Sequence, residues 1–360
     1  EDLLNIQIMA TFDEEEGHHM WGKYQGAFQA GYIQRFTPGH AIDDINYIEK
    51  LTGCNDLQMN AYRVDESRDS KIGLKLYRKG ATVPLSDTLP MLENLGLRVI
   101  GEEPFQLTFD NGEEVWINDL DMECKKDVKH DFSSLRSIFQ ESFYQIWLGN
   151  VENDSFNSLT LDAKLSWREI LVLRAYARYL KQIKVTFSPE YIAATLKNNE
   201  PIVCLLVELF KTKFSPECVS DVANGKLDFL REEIASRLEQ VKVLDEDRIL
   251  RKYLHVILAT VRTNFFQVNG DGESKPYLSF KINPSLINGF PQPVPFSEVF
   301  VYSARFEGVH IRFDNVARGG LRWSSRREDY RTEVLGLSKA QQVKNSIIVP
   351  AGAKGGFVPK

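Results

Sequence analysis

The chain has 360 residues, of which 43% are hydrophobic and 26% charged, with 44 Lys and Arg set against 50 Asp and Glu. This is the make-up of a soluble globular protein too long for one core, and it predicts two or three domains rather than a fibrous or low-complexity chain. The longest apolar runs, such as IVCLLVELF from Ile202, fall far short of a membrane span, and no secretory leader opens the sequence, so a cytoplasmic protein without membrane contact is expected.

Residues 1–37 read as the end of a preceding domain and a linker, with scattered aromatics and no closed unit of their own. From Pro38 the pattern turns regular. HAIDDINYIEKL sets Ile42, Ile45 and Ile48 on one helical stripe. LQMNAYRVDE from Leu57 and IGLKLYRKG from Ile72 alternate as strands do, and VPLSDTLPMLENLG reads as a helix closing on Gly96. LRVIGEEPFQLTF and EVWINDLDMEC make two more strands, turned by Asp110-Asn111-Gly112. With YIQRF taken as a further strand, residues 38–125 form a small α/β sandwich of ferredoxin-like type.

Residues 126–270 read as an all-helical region. Ser166 and Glu169 have capping-box spacing, and Ser188-Pro189 and Ser215-Pro216 each look like an N-cap followed by an N1 proline. Leu227, Leu230, Ile234, Leu238 and Val241 mark one amphipathic face, and Ile249, Tyr253, Ile257 and Val261 the next. Such stripes are packing surfaces and carry no chemistry. After the turn-rich NGDGE at 269–273, strand-like segments (YLSFKINPSLI, EVFVYS, VHIRFDN) open a new α/β unit over 271–360.

The four cysteines lack Cys-x-x-Cys spacing and fit structural thiols of a reducing compartment, and adjacent His18 and His19 point apart, so no metal site is expected. Chemistry concentrates at the end of the chain. His310–Lys360 holds ten Lys and Arg against four Asp and Glu, a positive island in a chain of net charge −6. An island of that size suits a small anion rather than a nucleic acid, which calls for a broad basic surface.

Three pieces make up the island. Arg318-Gly319-Gly320-Leu321-Arg322 joins two guanidinium groups to glycines that let backbone approach a ligand, although a solvated surface turn has the same look. Glu328–Ser346 reads as a helix on which Val334, Leu337 and Ala340 lie near Lys344, with Gln341 one turn before it. Lys344 there either snorkels to water or is held by an anion. IIVPAGAKGGFV reads as a buried strand entering a loop where Lys354 is flanked by Gly352, Gly355 and Gly356. Neither G-x-x-x-x-G-K-[ST] nor G-x-G-x-x-G occurs, which sets aside a nucleotide phosphate loop. A lysine fixed among other cations has the character of a proton-transfer or carbonyl-polarising group, and a solvated loop lysine is its plain alternative.

In this order, R-G-G-x-R, Q-x-x-K and G-A-K-G-G, the pieces resemble the substrate-domain signature of glutamate dehydrogenases, and the full run RGGLRWSSRREDYRTEVLGLSKAQQVKNSIIVPAGAKGGF is similar to the large NAD-dependent bacterial class. Upstream, PLSDTLPMLENLGLRVI resembles its third ACT-type domain, and LSWREILVLRAYARYLKQ, LDEDRILRKYL and RTNFFQ its helical region. The resemblance implies an α+β protein with a large all-α region: an ACT-type domain, a helical bundle and the start of an α/β substrate-binding domain. It implies that Arg318, with Gly319 and Gly320, holds the substrate side-chain carboxylate where most members use lysine, that Gln341 and Lys344 hold the α-carboxylate, and that Lys354 is catalytic. It further implies L-glutamate and 2-oxoglutarate as substrates, NAD bound by a Rossmann domain outside these residues, and a homo-oligomer. Because the sequence opens on Glu1 and stops at Lys360 beside the glycine run, a fragment lacking the Rossmann domain and inactive by itself is expected. The competing readings are a regulatory module that binds an amino-acid effector at residues 38–125, and a scaffold role for the helices.

Overall fold

A computed structural model describes residues 2–53, 56–64, 71–124, 132–217, 221–344 and 351–360. They form a mixed α/β structure in two compact units, Glu1–Tyr144 and Gln145–Lys360.

The first unit runs α1 (Asp2–Thr11), α2 (Glu14–Tyr24), α3 (Ala30–Arg35), α4 (Pro38–Ile48), β1 (Gln58–Arg63), β2 (Lys71–Lys79), α5 (Leu85–Asn94), β3 (Leu97–Thr108), β4 (Glu114–Cys124) and α6 (Phe132–Trp147). Its sheet has the order β1-β2-β4-β3 with every neighbour antiparallel. Strands β2 and β3, joined by α5, therefore run parallel with β4 between them. Gly96 ends α5 at φ +95°, and Gly112 turns the β3–β4 hairpin at φ +80°, conformations that glycine adopts without steric cost. Ile42, Ile45 and Ile48 bury their stripe against a core that includes Tyr77, Phe105 and Ile117.

YIQRF is not a strand. Tyr32 to Arg35 belong to α3, and Phe28, Tyr32 and Phe36 recur every four residues, with ring centroids 4.6 and 4.9 Å apart. That spacing is helical, and packing of the rings outweighs the β propensity of single aromatics. Tyr32 and Tyr77 donate hydrogen bonds to buried Asp44, which also pairs with buried Lys75 at 2.7 Å.

The second unit holds α7 (Leu159–Asp162), α8 (Trp167–Gln182), α9 (Pro189–Asn198), α10 (Glu200–Phe214), α11 (Asp221–Leu238) and α12 (Leu244–Ala259). It continues with β5 (Thr260–Thr263), β6 (Leu278–Ile282), β7 (Ser297–Tyr302), β8 (Phe306–Arg312), β9 (Leu321–Trp323), α13 (Tyr330–Lys344) and β10 (Ala353–Pro359). The Ser166–Glu169 capping box is formed, and Ser188 accepts from the Tyr191 amide. Pro216 is not the first residue of a helix: Ser215 caps the end of α10, residues 215–217 are non-helical, and in the described residues α11 runs from Asp221. The stripe on α12 stops at Ala259, and Val261 lies exposed in β5.

The six strands take the order β5-β6-β7-β8-β10-β9, antiparallel throughout except for β9 beside β10. Helices and sheet share one core, with α8 buried nearly all round through Leu173, Tyr176, Tyr179 and Leu180 against Phe280 and Phe300. Among the described residues no helix is long and apolar enough to cross a membrane. Cys124 and Cys204 are half-buried, and Cys54 and Cys218 lie outside the described residues.

Candidate functional site

A parallel pair of neighbouring strands cannot be joined by a hairpin, so β9 reaches β10 through a crossover, and α13 is that crossover. A crossover helix runs back against its strands. The C-terminal turn of α13 therefore lies at the end where β9 and β10 begin. Arg318-Gly319-Gly320 leads into β9 there, Gln341 and Lys344 sit in the last turns of α13, and Lys354 is the second residue of β10.

The two glycine-bearing motifs are hydrogen-bonded to each other. The amide of Ala353 donates to the Arg318 carbonyl at 3.1 Å, and that of Gly355 to the Gly320 carbonyl at 3.0 Å. Arg318 itself is exposed and bridges Gly352 in parallel register. Lys354 is therefore not on a loop. AKGGFVP is a full strand, with Lys354 opposite Ile311 and Gly356 opposite Val309 of β8. The glycines explain why it can be one. A Cβ on Gly319 would stand 1.3 Å from the Ala353 carbonyl oxygen, one on Gly355 2.2 Å from Leu321 Cδ2, and one on Gly356 2.4 Å from Val334 Cγ2. Here these glycines admit strand against strand and helix against sheet.

Directly opposed residues share a face. Lys354 and Gly356 thus lie on the face of buried Ile311 and Val309, which α13 covers, and Lys354 is half-buried. On the other face His310 lies opposite Gly355, its pKa lowered by burial and then by Arg312. The buried side of α13 is Tyr330, Arg331, Val334 and Ser338, while Leu337 and Gln341 are half-buried and Ala340 is exposed. This corrects the apolar stripe expected from Val334, Leu337 and Ala340. The helix ends at Lys344 in the described residues, and the Lys344 side chain lies outside them.

Sequence reasoning missed what fixes α13. Arg331, 2% exposed, pairs with fully buried Glu298 of β7, which also accepts from Tyr179 Oη at 2.9 Å. The Arg331 amide donates to Gln182 Oε1 at 3.2 Å. A usable signal was present: Glu298 has the inward parity of Phe300 and Tyr302, and a carboxylate there calls for a buried cation. At the start of the helix, Arg326 holds Asp329, and Glu333 takes Arg322 at 3.2 Å and the Ser324 hydroxyl. The arrangement brings the backbone of Arg318, Gln341, Lys344 and Lys354 to one end of a parallel strand pair, beside a helix locked at its other end. Chemically it can take hold of a small dianion.

Residues 233–360 match the family model described as the bacterial NAD-glutamate dehydrogenase catalytic domain. Models of the glutamate dehydrogenase helical motif 2, ACT3 domain and helical motif 3 match residues 7–51, 56–135 and 151–216. The chain is 47% identical over its whole length to the NAD-specific glutamate dehydrogenase of Pseudomonas aeruginosa, and 46% to that of Halomonas elongata. It is 40% identical over 94% of its length to the enzyme of that name from Mycobacterium tuberculosis. It spans 22% of the length of the first two relatives and 21% of the third.

Proposed function

The chain belongs to the bacterial NAD-glutamate dehydrogenase family, and on that premise we propose that the longer protein oxidatively deaminates L-glutamate to 2-oxoglutarate and ammonium with NAD. In this reading Arg318, with Gly319 and Gly320, holds the side-chain carboxylate, Gln341 and Lys344 hold the α-carboxylate, and Lys354 polarises the oxygen that develops during imine hydrolysis. The observation that carries it is the hydrogen bonding of the Arg318-Gly319-Gly320 segment to the strand of Lys354, under a helix whose last turns bear Gln341 and Lys344. Glutamate carries two carboxylates and one ammonium, and cations from three successive elements match the two anionic ends.

NAD, when bound, accepts the hydride from the substrate Cα. We assign its site to a Rossmann-type domain of the longer protein outside these residues, in keeping with the absence of G-x-G-x-x-G from this sequence. The divisions proposed are a preceding segment (1–37), an ACT-type domain (38–125), a helical region (126–270) and the first part of the substrate-binding domain (271–360), in a cytoplasmic homo-oligomer. The β2-α5-β3 unit with β4 inserted between its strands supports a rearranged ferredoxin-like topology for the ACT-type domain. A purely regulatory amino-acid-binding role is the weaker reading, because the model matching the largest part of the chain is that of a catalytic domain.

The test is steady-state kinetics on the longer protein. Lys354→Ala is expected to lower kcat by orders of magnitude. Lys344→Ala is expected to act mainly on KM for glutamate, losing one charged contact of about 1.5–3 kcal/mol. A Lys354→Ala enzyme within a few-fold of wild type would remove Lys354 from the chemistry.

A further inference from the structure

Ser338 is fully buried on α13, and its hydroxyl has no hydrogen-bond partner among the described residues. A buried hydroxyl without a partner costs free energy that an apolar side chain of similar size would not, so its presence asks for a use.

Its place in the register supplies one. Val334 sits directly over Gly356, since a Cβ there would meet Val334 Cγ2 at 2.4 Å. One turn further along α13 is Ser338, about 6 Å on at 1.5 Å per residue. Two residues back along β10 is Lys354, about 6.6 Å from Gly356 at 3.3 Å per residue. Helix and strand run in opposite directions, so both steps lead the same way. Tyr330, Val334 and Ser338 share the face of α13 turned to the sheet, and Lys354 lies on the sheet face that α13 covers. No ion pair or hydrogen bond joins the Lys354 ammonium to another described residue.

We propose that Ser338 is a positioning residue for Lys354, its hydroxyl accepting a hydrogen bond from the lysine ammonium and aiming it at the substrate. This inference rests on the catalytic reading of Lys354.

The experiment uses the longer, active enzyme with three variants, Ser338→Ala, Ser338→Thr and Lys354→Ala. Ser338→Ala is expected to lower kcat about tenfold with KM for glutamate within about twofold, in line with one hydrogen bond to a charged group. The pH profile of kcat/KM, which a packing role would leave alone, should also change. Ser338→Thr, which keeps the hydroxyl, should restore both the rate and the profile. If Lys354→Ala is inactive while Ser338→Ala keeps the wild-type rate and profile, this inference falls and the reading of Lys354 stands. If Lys354→Ala stays active, that reading falls, and this inference with it. A rate loss in Ser338→Ala with an unmoved profile and no rescue by threonine would also overturn it, leaving Ser338 a packing residue.

Discussion

Arg318 is exposed, while its backbone is bonded into β10 through the Ala353 amide. A guanidinium has a planar fork that matches a carboxylate and cannot shed its charge, which lysine can. In the longer enzyme Arg318→Met is expected to reduce kcat/KM for glutamate far more than for norvaline, which has no side-chain carboxylate to strand. The readout is the ratio of the two kcat/KM values. An unchanged ratio means that Arg318 does not read the side chain. At this scale the sequence announced the cations that stand among glycines, because flexible backbone beside a lone charge is unusual enough to notice. It hid Arg331 in a run of surface-like charges, RREDYR, and hid Ser338 as a small polar residue on a helix. Both are picked out only by the neighbours that bury them.

At the scale of elements, the β9-α13-β10 crossover depends on glycines that the sequence seemed to offer to a ligand or a loop. Gly356→Ala should push Val334 and α13 off the sheet and cost about 1–3 kcal/mol, the usual range for overpacking. Gly336, on the same helix, has open space around its Cβ position, and Gly336→Ala should stabilise by about 1 kcal/mol through helix propensity alone. Urea unfolding of the two variants checks the opposite signs. Equal effects would mean that the close approach at Gly356 is not what limits substitution. The strands at 58–63, 71–79, 97–108 and 114–124 were readable because alternation and a turn triplet agreed. YIQRF misled because five residues are too few to tell an aromatic strand from one turn of an aromatic helix. The glycine run misled because low strand propensity was taken for a loop, whereas close packing on both faces calls for residues without a side chain.

For the molecule as a whole, the ends of the second unit's chain meet in one ionic cluster. Glu152 accepts from Lys360 Nζ at 2.7 Å, Arg178 Nη2 at 3.1 Å and Tyr302 Oη at 2.9 Å. Burial alone would raise its pKa, but Lys360 and Arg178 outweigh burial and bring it down to about 2 from an ordinary 4.5. A carboxylate with a depressed folded pKa stabilises the fold above its unfolded pKa and loses that contribution as pH falls through the folded value. The Tm difference between the wild type and Glu152→Gln should therefore be largest above pH 4.5 and shrink as pH falls towards 2. A constant gap would mean that the cluster acts through shape and not charge. None of this was legible beforehand, since Glu152 and Lys360 are more than two hundred residues apart and neither belongs to a motif.

The direction of α13 has one more consequence. Phosphate and carboxylate sites are commonly built at helix N-termini, where free amides and the positive end of the macrodipole greet an anion. The proposed dicarboxylate site meets the opposite pole, because α13 arrives there with its carbonyl end and the equivalent of about half a negative charge. In the proposed reading the attraction falls to the side chains of Arg318, Gln341, Lys344 and Lys354. Glutamate affinity should accordingly weaken with ionic strength as side-chain pairing does, and a single lysine replaced at this pole should cost more than the same change at the head of a helix.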